Sequence, residues 1–180
     1  MTKSTSKLCI EVFTTVNLIG ANNNLAFLIP VQFYASKKAD NSLVNDFCGD
    51  GKTSQTLLKE IPYLKSLLIS IIPELEILFK TYTIQLKSKI DDSYVVDITD
   101  TRSAQLGIAL GLCILFRKSL GLSTNENFAS TGSLDDLGFI KKVNDMDIKK
   151  RVAENSIHID SSSCNHLFDG LHKIGGLELR

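Results

Sequence analysis

Three groups of residues carry side chains able to do chemistry. Residues 46–53 (DFCGDGKT) end in Gly51-Lys52-Thr53, the close of a phosphate-binding loop. That loop needs a glycine where this chain has Asp46 and a strand running directly into it, and no such strand is evident, so nucleotide hydrolysis is not the reading. Tyr94 to Asp97 is similar to an apolar strand ending in a Mg²⁺-binding aspartate, but alternation of that kind is common. The second group is His158, His166 and His172 with Asp160 and Cys164. Cys164 and His166 are two apart, which points them to opposite sides of a strand and off a common helical face, and the set fits no standard zinc spacing. These read as surface polar residues, with no metal. Third, Ser103 opens the longest apolar run, and Lys149 heads the triplet Lys149-Lys150-Arg151. Taken locally, the serine reads as a helix N-cap and the triplet as a solvated basic face near a helix C-terminus.

These residues need elements to position them. Residues 7–17 and 26–34 are rich in β-branched and aromatic types, and the stretch 20–24 (GANNN) between them is turn chemistry, which predicts an antiparallel pair. Pro30 lacks the N–H of a ladder residue and is expected on an outer edge or at a bulge. Residues 36–53 read as a polar surface loop. Leu57, Ile61, Leu64, Leu68, Ile72 and Leu75 then recur at helical spacing, with a kink or restart expected at Pro62 or Pro73. Strands are predicted at 81–87 and 94–99. Residues 104–116 are apolar on nearly every side, with Gly107 and Gly111 allowing close approach, which predicts a central buried helix starting near Ser103. Short strands at 127–134 and 139–143, a helix at 145–155, a strand at 157–159 and a terminal helix at 164–174 complete the reading. With no internal repeat or linker, the chain is expected to be a single α+β domain over residues 1–180.

Composition narrows the classes. Twenty Lys and Arg balance 20 Asp and Glu, so no excess positive charge favours nucleic acid. Apolar residues at 43% and charged residues at 22% fit an ordinary globular core rather than disorder. The run 104–116 is too short to cross a bilayer, and MTKSTSKLCIEV lacks the apolar stretch and cleavage site of a signal peptide, so the expectation is a cytoplasmic protein without membrane contact. Cys9, Cys48, Cys113 and Cys164 are widely spaced and read as reduced thiols.

Residues 129–149 (ASTGSLDDLGFIKKVNDMDIK) resemble the segment of Lon-type serine proteases that begins Thr-Gly-Glu, passes a Gly and a Pro-Val-Gly-Gly turn, and ends at the lysine of the catalytic dyad. Thr131 to Lys149 keeps that register without a gap. Arg102-Ser103-Ala104 before the apolar helix is similar to the Gly-Pro-Ser-Ala-Gly around the family's nucleophile. The matches span roughly residues 94–155, with the slightly long Ser103 to Lys149 interval absorbed by a turn at 121–126. The resemblance implies an α+β, Lon proteolytic-domain-like fold with a mixed sheet and packed helices. It implies a Ser-Lys dyad of Ser103 and Lys149, with Thr131 orienting the amine and the backbone N–H groups of Ser103 and Ala104 receiving the oxyanion. A serine hydroxyl is a weak nucleophile, and a lysine amine can activate it where burial lowers the amine pKa toward neutrality. The implied activity is ATP-independent hydrolysis of unfolded or extended polypeptide through an acyl-enzyme, without cofactor or metal. A homo-oligomer and a separate ATPase partner also follow from the resemblance alone. At Arg102, Gln105, Ser133, Lys142, Asn144 and Asp145 the chain departs from the family pattern, mostly where it has glycine or proline. Those departures imply the alternative, a catalytically inactive Lon-like fold serving as an assembly or regulatory interaction module.

Overall fold

The computed structural model describes residues 10–22, 25–39, 46–88, 101–152 and 155–175. Strands β1 (Glu11–Asn22) and β2 (Leu25–Lys37) form a long antiparallel hairpin. The expected turn at 20–24 is tighter than its composition suggests, because pairing continues to Asn22 opposite Leu25. Alternation sets the register: Val31, Phe33 and Ala35 of β2 are all fully buried on one face, together with Val16 and Leu18 of β1.

β3 (Phe47–Asp50) runs into helix α1 (Gly51–Leu57), then a 3₁₀ turn (Leu58–Glu60) leads into α2 (Ile61–Ile71). This corrects the reading of 36–53 as loop, and also the expectation that no strand precedes Gly51-Lys52-Thr53. The strand passes straight into a seven-residue helix, leaving no loop to wrap a phosphate. Both prolines act as expected. Pro62 occupies the first turn of α2, and Pro73 opens a 3₁₀ turn (Pro73–Leu75) before α3 (Glu76–Thr81), positions where a missing N–H costs nothing.

β4 (Tyr82–Ser88) pairs antiparallel with β2 and parallel with β3. β2 is an inner strand over residues 31–37, and Pro30 faces Asn17 of β1 in a continuous register without a bulge; what lies on its other side is outside the described residues. The strand predicted at 94–99 lies outside the described residues.

After a 3₁₀ turn (Thr101–Ala104), α4 (Gln105–Ser119) is buried along almost its whole length and crosses β1. The predicted strand 127–134 divides. β5 (Phe128–Ser130) joins β1 in parallel, whereas β6 (Ser133–Leu134) pairs with β7 (Ile140–Lys141) in a separate hairpin. α5 (Met146–Lys149) is shorter than expected and continues as a 3₁₀ turn through Val152. β8 (Ile157–Ile159) pairs with β5, and α6 (Leu167–Lys173) follows.

The result is an α+β arrangement around a six-stranded mixed sheet of order β3-β4-β2-β1-β5-β8. One continuous core lies between the sheet and the helices, while Ile19 and Ala129 are buried apart from it. Among the described residues no helix is long and apolar enough to cross a membrane. Cys48, Cys113 and Cys164 are free thiols, and burial pushes Cys113 up to about 12, which makes it inert.

Candidate active site

Ser103 is half-buried in the 3₁₀ turn that precedes α4. It is not the N-cap, because Ala104 holds that position and the regular helix starts at Gln105. The backbone N–H groups of Ser103 and Ala104 therefore belong to the turn. Two backbone bonds tie this turn to the segment between β5 and β6. Gly132 N–H donates to the Ser103 carbonyl at 2.9 Å, and Leu106 N–H donates to the Gly132 carbonyl at 3.0 Å. Gly132 permits a close approach at this crossing: a Cβ there would sit 2.9 Å from Ile140 Cγ2 and 3.3 Å from Leu106 Cδ2.

Thr131, fully buried, is anchored on its other side by its N–H, which donates to the Ile159 carbonyl of β8 at 3.2 Å. Its hydroxyl donates to the Ser103 carbonyl at 3.4 Å and accepts from Lys149 Nζ at 3.5 Å. The Thr131 hydroxyl thus lies between Lys149 Nζ and the backbone carbonyl of Ser103. Lys149 is only 5% exposed, against the local reading of a solvated face, which holds for Lys150 and Arg151. Met146 and Lys149, three apart, share the inward side of α5, so helical phase selects one cation of the triplet for burial.

The loop into α5 departs from the resembled glycines at Asn144 and Asp145, yet Asp145 adopts φ 60°, the only positive-φ residue other than glycine among those described. The left-handed conformation a glycine would supply is retained, and the Asp145 carbonyl accepts from the Lys149 N–H at 3.0 Å. Asp tolerates this region better than β-branched residues. Asp145→Val is expected to lower stability by about 1–2 kcal/mol in urea denaturation, while Asp145→Gly equals or exceeds the wild type. A stable valine variant would contradict the backbone assignment.

The departures Arg102, Gln105 and Ser133 line one cavity of about 540 Å³ beside the turn, together with Glu60, Tyr63 and Asp136. Gln105 is 6% exposed and used at both ends: Nε2 donates to Glu60 Oε2 at 2.7 Å, and Oε1 accepts from the Leu134 N–H at 2.9 Å. The Thr101 hydroxyl donates to the other Glu60 oxygen. Tyr63, on α2, donates to the Leu134 carbonyl at 2.9 Å. Glu60 was not singled out in sequence.

The histidines have separate structural roles. His166 caps α6, accepting from Phe168 N–H and meeting the Leu137 carbonyl at 2.8 Å, so it is not merely a surface residue. His172 is exposed. His158 lies 3.4 Å from Asp160, and burial holds its pKa below the usual value against the pull of that carboxylate. Among the described residues no three His, Cys, Asp or Glu side chains are grouped to hold a metal.

Asp160 ends β8 as a buried turn residue. Burial raises its pKa, but the hydroxyl and N–H of Ser162 and the N–H of Ser163 outweigh that and hold it below the ordinary carboxylate range. A depressed folded-state pKa contributes stability that is full above the unfolded value and lost as pH falls through the folded one. Asp160→Ala is expected to cost about 2–3 kcal/mol at pH 7, with the gap to wild type narrowing in acid. An unchanged gap at low pH would exclude the ionised carboxylate as its source.

With this geometry in hand, comparison with known proteins adds no relative: no protein-family model and no curated protein matches the chain.

Proposed function

We propose that this protein is an ATP-independent, Lon-like serine endopeptidase, and that its α+β mixed sheet is the Lon proteolytic-domain topology. The observation that carries the reading is the buried Lys149 amine, bonded through the Thr131 hydroxyl to the carbonyl of Ser103. Three positions that align with the family's dyad and its supporting threonine converge although they lie far apart in sequence.

In the proposed reaction, neutral Lys149 Nζ takes the Ser103 proton as Oγ attacks the scissile carbonyl of an extended peptide. The step requires the amine in its neutral form. The tetrahedral oxyanion is received by backbone N–H groups of the Ser103–Ala104 turn, where the start of a buried helix supplies positive potential. Lys149 then protonates the leaving amine, and a water molecule, activated by the same amine, hydrolyses the acyl-enzyme. Thr131 keeps Nζ in place through both proton transfers.

The alternative, a non-catalytic Lon-like module for assembly or regulation, draws on Gln105. A buried, doubly bonded side chain stands where the resembled motif has glycine. Unfolded casein separates the two. Peptide release by the purified protein and its loss in Ser103→Ala are expected; equal absence of cleavage in both would favour the module.

A further inference from the structure

We propose that Glu60 and Gln105 are positioning residues that hold the turn bearing Ser103, an inference that rests on the peptidase reading. Glu60 ends the 3₁₀ turn before α2, and its two carboxylate oxygens accept from residues two places on either side of Ser103. One takes the Thr101 hydroxyl, the other the Gln105 amide at 2.7 Å. The separations in sequence are 41 and 45 residues, so the bridge is wholly tertiary.

The far end of Gln105 accepts the Leu134 N–H, and Tyr63, three residues after Glu60, donates to the Leu134 carbonyl. Helix α2, the Ser103 turn and β6 are thereby pinned together. No side chain caps α4 locally, so a turn that would otherwise fray at a helix start is fixed from outside by an ionised group. An amide in a buried position is costly unless both ends are bonded, and here both are.

Nucleophile placement is where such fixation matters, since a displacement near 1 Å costs about 10²-fold in rate. Glu60→Leu removes both acceptors and leaves the Thr101 hydroxyl and the Gln105 amide without this partner. Gln105→Glu sets two carboxylates together. The exchange Glu60→Gln with Gln105→Glu restores every bond: the new amide oxygen accepts from Thr101, its NH₂ donates to the new carboxylate, and that carboxylate accepts from Leu134.

Two readouts test this on the full chain, hydrogen exchange at the Leu134 and Leu106 amides and casein kinetics. Glu60→Leu and Gln105→Glu are each expected to lose exchange protection and roughly 10–100-fold in kcat, with KM little changed, and the exchanged pair to recover both. Unchanged protection in Glu60→Leu, or no recovery of Gln105→Glu in the exchanged pair, would overturn the bridge. Lost protection with unchanged kcat would overturn its positioning role. The peptidase reading fails separately, through wild-type protein with no Ser103-dependent cleavage; the catalytic role of the bridge then falls with it.

Discussion

On the proposed peptidase reading, replacing Lys149 by methionine is expected to reduce cleavage of unfolded casein by roughly three orders of magnitude or more while leaving the protein folded. Nζ of Lys149 is shielded from water and within hydrogen-bond reach of Thr131, which bonds to the turn holding Ser103. No neighbour can take its place, because Lys150 and Arg151 face solvent. Methionine matches the length and apolar stem of lysine, so the packing around α5 is kept. Arginine is the sharper control. It preserves charge but cannot surrender its proton, so Lys149→Arg is expected to be as inactive as Lys149→Met. Substantial activity in the arginine variant would show that the group acts as a fixed charge and not as a base. Thr131→Val should fall between, at roughly 10–100-fold, since it loosens the amine without deleting it. If hydroxyl and amine act as one unit, Ser103→Ala combined with Lys149→Met will be no slower than either alone, measured as initial rates of peptide release.

How far these roles could be read from sequence depended on whether the signal was local. β1 and β2 were legible because β-branched residues alternate along them, and α4 because it has no polar face. β3 was not, since Phe47-Cys-Gly-Asp50 is too short to show a period and owes its existence to parallel pairing with β4, far along the chain. The start of α4 misled for a different reason: a serine before an apolar run suggests an N-cap, but a 3₁₀ turn displaces the helix start beyond it. Within the site, the resemblance to the Lon-type motif singled out Ser103, Thr131 and Lys149. Burial of only the first cation in Lys149-Lys150-Arg151 depends on helical phase, which that triplet does not reveal. Gln105 carried a usable signal, as the lone amide within residues 104–116, which had to find partners for both of its ends. That one partner would be Glu60 is a tertiary fact with no local trace.

The same seam that seats α4 should also be the molecule's least tolerant point, and Gly107 measures it. A Cβ at this position would lie 2.2 Å from Leu18 Cδ2 and 2.6 Å from Ser130 Oγ. Leu18 is almost fully buried on β1, with Ile29 of β2 on one side and Ser130 of β5 on the other, so its side chain has nowhere to go. Ser130 is fully buried, so another rotamer of its hydroxyl has to find space within packed surroundings. Alanine normally favours a helix over glycine by about 1 kcal/mol, yet here overpacking prevails, and Gly107→Ala is expected to lose about 2–3 kcal/mol in urea denaturation. Gly111→Ala, whose nearest contact would be a Phe33 ring atom at 2.9 Å, should lose less. Ser130→Ala removes a buried hydroxyl with no hydrogen-bond partner, so alone it should be nearly neutral, and combined with Gly107→Ala it should recover part of the loss. Because Ser130 directly precedes Thr131, the strain should also displace the Lys149 contact, lowering activity more than the unfolded fraction accounts for. A Gly107→Ala protein as stable as wild type would mean that α4 does not sit against β1 and β5 in this register, and the convergence of Ser103, Thr131 and Lys149 would go with it.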